Sequence, residues 1–193
     1  MKAVVLSICP KWCELIANGK KTVEVRKSAP NIEVPFKCYI YCTEDAKTTD
    51  RLWILNEQLR TKYGGLVAVC AYLENRDALS IGNGQVIGEF VCNGIIADKT
   101  LGRDEMFNAC ACMNETDAVA YCKGKEVYGW HISDLVIYDK PKALRQFGTL
   151  VRTRDWERGT EHFYVNEKWY KPMKKPPQSW CYVEERQNEA LLY

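Results

Sequence analysis

The sequence predicts an α+β fold in which one short helix and a series of strands build a tightly curved sheet. Three observations carry this. The first 26 residues read as strand, short helix, glycine and charged strand; Val86 to Ile96 reads as a strand bent at Gly88 and Gly94; and 47% hydrophobic with 27% charged residues over 193 positions suits a folded domain. Glycines inside a strand mark bulges or bends, which small barrels need in order to close.

Lys2 to Ile8 is the first strand, and Pro10 falls in a first helical turn, where its missing N–H costs nothing. Trp12, Leu15 and Ile16 recur at helical spacing, and Gly19 is placed for a left-handed cap. On the strand that follows, Val23 and Val25 point to one face and Thr22, Glu24 and Arg26 to the other. An acid and a base two residues apart can brace each other and still present hydrogen-bonding groups to a ligand; the alternative is a solvated strand face with a weak surface ion pair.

Phe36 to Cys42, rich in aromatic and β-favouring residues, is the next strand. From Glu44 to about Gln85 the chain reads as an insertion. Within it, Leu52, Leu55, Leu59 and Tyr63 predict an amphipathic helix over Asp50 to Tyr63, ended by Gly64 and Gly65; Leu66 to Leu73 continues as a strand, and Asp77 to Gly84 as turns. Gly82 and Gly84 lack the strand–loop–helix setting of a phosphate loop. Asp98 to Cys112 shows no clear period, whereas Asn114 to Lys123 reads as a helix capped by Asn114 or Thr116 and ended at Gly124. A further strand begins at Ile132, preceded by Trp130 and His131, which as neighbours face opposite ways, one into the core and one into a cleft. Residues 148–176 form a second insertion, basic and aromatic; Pro176 to Val183 closes as a rigid turn and last strand, and Glu184 to Tyr193 as a tail or helix.

The opening Leu-Ser-Ile-Cys-Pro-Lys-Trp (Leu6 to Trp12) and the pattern Gly-x-Lys-x-x-Glu-x-Arg (Gly19, Lys21, Glu24, Arg26) resemble the ASCH family of PUA-like domains. The likeness covers the first ~45 residues well and residues 86–147 loosely. It implies a PUA-like small β-barrel with a short N-terminal helix, a single domain over 1–193 with insertions at about 44–85 and 148–176, and Phe36 to Cys42 pairing near the first strand. It also implies a cleft between barrel and first helix that accepts RNA or a nucleotide- or nucleoside-like ligand. Lys21 and Arg26 would meet phosphate or base edges, Glu24 would orient Arg26 or accept from an amino group, and Trp12, Trp130 or Trp180 would stack. Ser7, His131, Gln178 and Ser179 complete the candidate ligand-binding set.

Some ASCH-type proteins remove the acetyl group of N4-acetylcytidine and others are ribonucleases, which would make Lys21 and Glu24 the catalytic candidates. A lysine acts as base or nucleophile only when its pKa is lowered, and the deacetylating members carry threonine where this chain has Glu24, a carboxylate that would hold Lys21 charged. Non-catalytic capture of a nucleotide-derived signal or a modified base is a third reading, with the two insertions as a lid.

Charge supports a phosphate-bearing partner. Residues 1–28 carry six lysines and arginines against two acids, residues 140–176 carry ten against four, and residues 44–117 carry seven against twelve. No apolar run reaches bilayer length and the N-terminus lacks a signal pattern, so a cytoplasmic protein with reduced thiols is expected, with no membrane partner. Cys9 and Cys13, Cys38 and Cys42, and Cys110 and Cys112 lack zinc-knuckle spacing, and neither histidine lies near them in sequence. The cysteines are therefore read mostly as small buried hydrophobes, with no metal or cofactor expected; oligomeric state is not encoded legibly.

Overall fold

The computed structural model describes residues 3–44, 50–71, 73, 78–98, 105–152 and 161–187. The first strand, β1 (Ala3–Ile8), leads through Cys9 into α1 (Pro10–Ala17), and Gly19 at φ 70° turns the chain into β2 (Val23–Arg26). The backbone N–H groups of Gly19 and Lys20 close the helix on Ile16 and Leu15, the left-handed termination that the glycine predicts. β3 (Phe36–Cys42) lies parallel to β1, Ala3 opposite Lys37 through Ile8 opposite Cys42.

A nine-stranded sheet follows from two long strands, β7 (Gln85–Asp98) and β8 (Val127–Ala143), with β9 (Phe147–Leu150), β10 (Phe163–Val165), β11 (Lys168–Pro172) and β12 (Trp180–Glu185). Its order is β10-β11-β9-β12-β1-β3-β7-β8-β2. The β7–β8 ladder shifts register between Val86 and Gly88, between Glu89 and Val91, and between Cys92 and Ile95. At Gly88 an added Cβ would stand 2.3 Å from the Val136 carbonyl oxygen, so this bend requires glycine. The expected barrel is not closed by backbone pairing: among the described residues the sheet ends at β10 and at β2. The Arg26 side chain on β2 nevertheless reaches the Ser7 and Ser179 carbonyls beside β1 and β12, bridging the gap that the ladder leaves.

The insertion at 44–85 differs from its expected form. Arg51–Leu55 is strand β4, not the start of a helix, and only Glu57–Tyr63 is helical (α2), capped by Asn56. The reason is burial on both faces: Leu52 and Ile54 enter the main core, Trp53 and Leu55 a second cluster, a period of two that a helical stripe cannot provide. β4 pairs with β5 (Val67–Cys70) and with β6 (Ala78–Ile81), so residues expected as turns supply a strand. This small sheet docks on α1 through Asn18, whose amide donates to the Val67 carbonyl (3.0 Å) and accepts from Leu66 N (2.8 Å).

Two short helices complete the described chain, α3 (Glu105–Ala111) and α4 (Glu115–Cys122), the latter capped by Asn114 as predicted. They cover the Val23 and Val25 face of β2, packing Phe107, Ala111, Ala118 and Cys122 against it. β8 starts at Val127, five residues before the expected Ile132, because Gly129 lets the strand pass under Phe107; a Cβ there would meet the ring at 2.4 Å. Six cysteines, Cys13, Cys38, Cys42, Cys70, Cys92 and Cys122, are buried. Of the expected tail, Glu184 and Glu185 belong to β12, and residues 188–193 lie outside the described residues. Among the described residues no helix is long and apolar enough to cross a membrane.

Candidate functional site

Strand alternation sends Glu24 and Arg26 away from the α3–α4 layer and toward α1 and the end of β1. With Lys21 they form the floor of a cavity of about 540 Å³, and all three are buried, at 3%, 6% and 6% exposure. Buried charges must be paired and hydrogen-bonded, and these are. Glu24 Oε1 accepts from Arg26 Nη2 at 2.9 Å, and Glu24 Oε2 lies 3.7 Å from Lys21 Nζ. Lys21 Nζ donates to the Ala111 carbonyl at 2.6 Å, which ties α3 to the floor. Arg26 donates further to the carbonyl oxygens of Ser7 (3.0 Å) and Ser179 (3.3 Å) and to Ser179 Oγ (3.4 Å). Its buried Nε has no partner among the described residues.

Aromatic rings flank this charged floor. Trp12 on α1 has Lys21 Nζ 5.0 Å from its ring centroid and Lys11 Nζ 4.7 Å from it. Opposite stands Tyr121 of α4, whose hydroxyl donates to the Val25 carbonyl at 3.3 Å. Burial lowers the pKa of Lys21 from its ordinary value, against the pull of Glu24 and then Cys112 toward the charged form. Burial likewise pushes up the Tyr121 phenol and the Cys9 thiol, so both remain protonated at neutral pH. A cavity of this size, with an acceptor and cations at its base and rings at its sides, fits a polar aromatic ligand.

The structure brings together Ser7, Trp12, Lys21, Glu24 and Arg26 in the cavity wall, with Ser179 behind Arg26. Ser7 Oγ is committed to the Pro177 carbonyl at 2.6 Å. Trp130 is elsewhere: it is fully buried between Phe36 (5.6 Å) and Trp180 (5.8 Å), part of the core and unavailable for stacking on a ligand. His131 does face the other way, as alternation demands, but onto an exposed surface beside Asn93 Oδ1 (2.6 Å) and not into a cleft. Gln178 is exposed and outside the wall, and Trp180 turns its Nε1 to Ser28 Oγ at 3.1 Å.

The expected lid is also placed differently. Among the described residues neither insertion lines the cavity; its second wall is Met113, Asp117, Ala120 and Tyr121. Asp117, Ala120 and Tyr121, spaced i, i+3 and i+4, form one face of α4, and Met113 stands just before its cap, a signal present in the sequence but without a strand to attach it to. Cys9 and Lys11, which also line the cavity, sit in the opening stretch beside Trp12.

A family model described as the ASCH domain matches residues 6–184. Among solved structures, the crystal structure of an ASCH protein from Zymomonas mobilis aligns at 19% identity over 74% of each chain, with a TM-score of 0.50. A serine-to-alanine variant of the Zymomonas mobilis ASCH protein aligns at 17% identity over 96% of this chain and 90% of its own, with a TM-score of 0.55. Its tyrosine-to-phenylalanine variant gives 14%, 96%, 93% and 0.50 for the same quantities. At these identities the likeness is one of fold. No curated protein matches the chain.

Proposed function

Because the chain belongs to the ASCH domain family, we propose that it is an RNA- or nucleotide-binding module whose ligand enters the cavity floored by Lys21, Glu24 and Arg26. The observation that carries this reading is the buried trio itself. Three charged groups held nearly dry, one guanidinium N–H left over, and Trp12 and Tyr121 alongside make a costly arrangement that a ligand with acceptors and a flat ring would complete. Glu24 accepts from an exocyclic amino group, Arg26 and Lys11 meet carbonyl or phosphate oxygens, and Trp12 takes the ring face.

A hydrolase acting on a modified nucleoside such as N4-acetylcytidine, or a ribonuclease, is the second reading, and the lowered pKa of Lys21 favours it. Against it, the Lys21 ammonium already donates to Ala111 and lies beside Glu24. Purified protein is incubated with N4-acetylcytidine and with short RNA, and acetate release or cleavage is measured alongside binding. Binding with unchanged substrates supports the module. Lys21→Ala and Arg26→Ala are each expected to weaken binding by about tenfold or more, the scale of one lost charge-assisted hydrogen bond. Binding that survives both substitutions removes the cavity from consideration.

A further inference from the structure

A second cavity, of about 690 Å³, opens where β9 parts from β12. These strands pair only at Glu184 with Gly148 and at Glu185 with Phe147. Beyond that point β12 stays on β1, Val183 opposite Ala3 through Trp180 opposite Leu6, while β9 stays on β11, Leu150 opposite Tyr170. The wedge between them is lined by Leu150, Arg152, Lys168, Tyr170 and Tyr182, with Glu184 as its one lining carboxylate. Arg152 and Lys168 are exposed, and Tyr182 is 44% exposed. The Tyr182 ring is held in place: its hydroxyl accepts from Asn31 N at 2.8 Å, and its edge meets Trp180 at 5.4 Å and 84°.

The wedge lining carries two cations, Arg152 and Lys168, against the single carboxylate of Glu184, while Arg145, Lys171 and Lys174 line a separate cavity with Glu161. The wedge and the first cavity share no lining residue, but β12 and the residue before it connect them in sequence. The Ser179 carbonyl receives Arg26, Trp180 follows, and Tyr182 lies three residues from Ser179, about 10 Å of strand. A single strand of nucleic acid covers that in about three stacked steps. Cations for the backbone beside exposed rings for the bases are the two components of sequence-tolerant single-strand binding.

We propose that this wedge is a second binding site, for single-stranded nucleic acid, with a base on Tyr182 and the backbone on Arg152 and Lys168, continuing a strand whose end enters the Lys21–Glu24–Arg26 cavity. It extends the reading above, and its test separates the two. A labelled oligouridylate of about eight nucleotides and cytidine monophosphate are titrated into the wild-type protein and into Arg152→Glu/Lys168→Glu, Tyr182→Ala and Tyr182→Phe. The charge reversals should weaken the oligomer at least about tenfold and flatten its salt dependence. Tyr182→Ala should weaken it about fivefold or more, Tyr182→Phe should restore it, and the mononucleotide should bind all four proteins alike. Failure of the wild-type protein to bind the oligomer, or oligomer affinity unmoved by the charge reversals, overturns the proposal and leaves the wedge to an extended peptide on the open edge of β12. A mononucleotide that binds nowhere, with an oligomer still sensitive to Arg152 and Lys168, refutes the cavity reading and sustains this one.

Discussion

Replacing Glu24 with alanine tests whether the trio is a buried network or a surface ornament. In the native protein Glu24 is 6% exposed and stands between Arg26, at 2.9 Å, and Lys21, at 3.7 Å. Its removal leaves two cations in a nearly dry setting with no carboxylate between them. Breaking a buried pair by deleting one partner costs about 3–5 kcal/mol, and a chain of this size loses about 2–4 °C of Tm per kcal/mol. The expected drop is therefore about 6–20 °C by calorimetry at neutral pH. The deficit should also depend on pH with a definite sign. Burial already sets the Lys21 pKa below its unfolded value, and losing Glu24 lowers it further. Between the variant's lower folded pKa and that of the wild type, both below the unfolded value near 10.4, the folded variant binds fewer protons than the folded wild type, so its stability relative to the wild type rises with pH across that window. The cost is fully present below it. A Tm loss of less than about 3 °C, in the range of a solvated pair, would refute the burial argument and with it the case for an enclosed polar floor.

Other expectations follow from the same geometry. Arg26→Lys keeps the charge but cannot span Glu24, Ser7 and Ser179 at once; it should speed amide exchange at the end of β1 and in β2 while sparing β4–β6. Gly129→Ala drives a methyl into Phe107 at 2.4 Å and near Val23 at 2.9 Å, so it should lift α3, cost about 1–3 kcal/mol and weaken ligand binding through the Ala111–Lys21 bond. Burial pushes up the thiols of Cys13 and Cys38 and raises those of Cys92 and Cys181 to about 11. These groups stay protonated in the fold after the unfolded chain ionises near pH 8.5. Stability by urea titration should accordingly fall as pH rises above that value, and an unchanged midpoint at pH 10 would contradict the burial of these thiols.

The site strand was legible because its chemistry is local: a capped helix, a glycine, then alternating charged and apolar residues within Gly19 to Arg26. What surrounds that strand was not. Trp130 reads on its own as a stacking ring, and only its position directly opposite Glu24 on β8, between Phe36 and Trp180, assigns it to the core. Leu52 and Leu55 also satisfy a helical spacing, so Arg51 to Leu55 reads locally as helix; two separate clusters, one on each face, decide for strand. The Met113–Tyr121 wall depends on a contact between segments almost a hundred residues apart, carried by Lys21 to Ala111 and Tyr121 to Val25, and no local pattern announces such a pairing.

The trio also accounts for how the end of an open sheet borders a cavity. β2 is an edge strand, and an unprotected edge invites association. Here α3 and α4 cover one of its faces, and on the other Arg26 takes the carbonyls of Ser7 and Ser179 while Lys21 takes that of Ala111. Each cation therefore ends a backbone carbonyl from a different segment, and Glu24 joins the two cations. Polar side chains do at this seam what a ladder would do in a closed barrel, but they leave room for a guest. A ligand that adds acceptors to the seam strengthens the junction of β1, β2, β12 and α3 together, so binding should raise Tm as well as occupy the cavity. Arg26→Ala should remove that rise in Tm together with the binding, and a ligand whose thermal shift survives Arg26→Ala sits somewhere other than this seam.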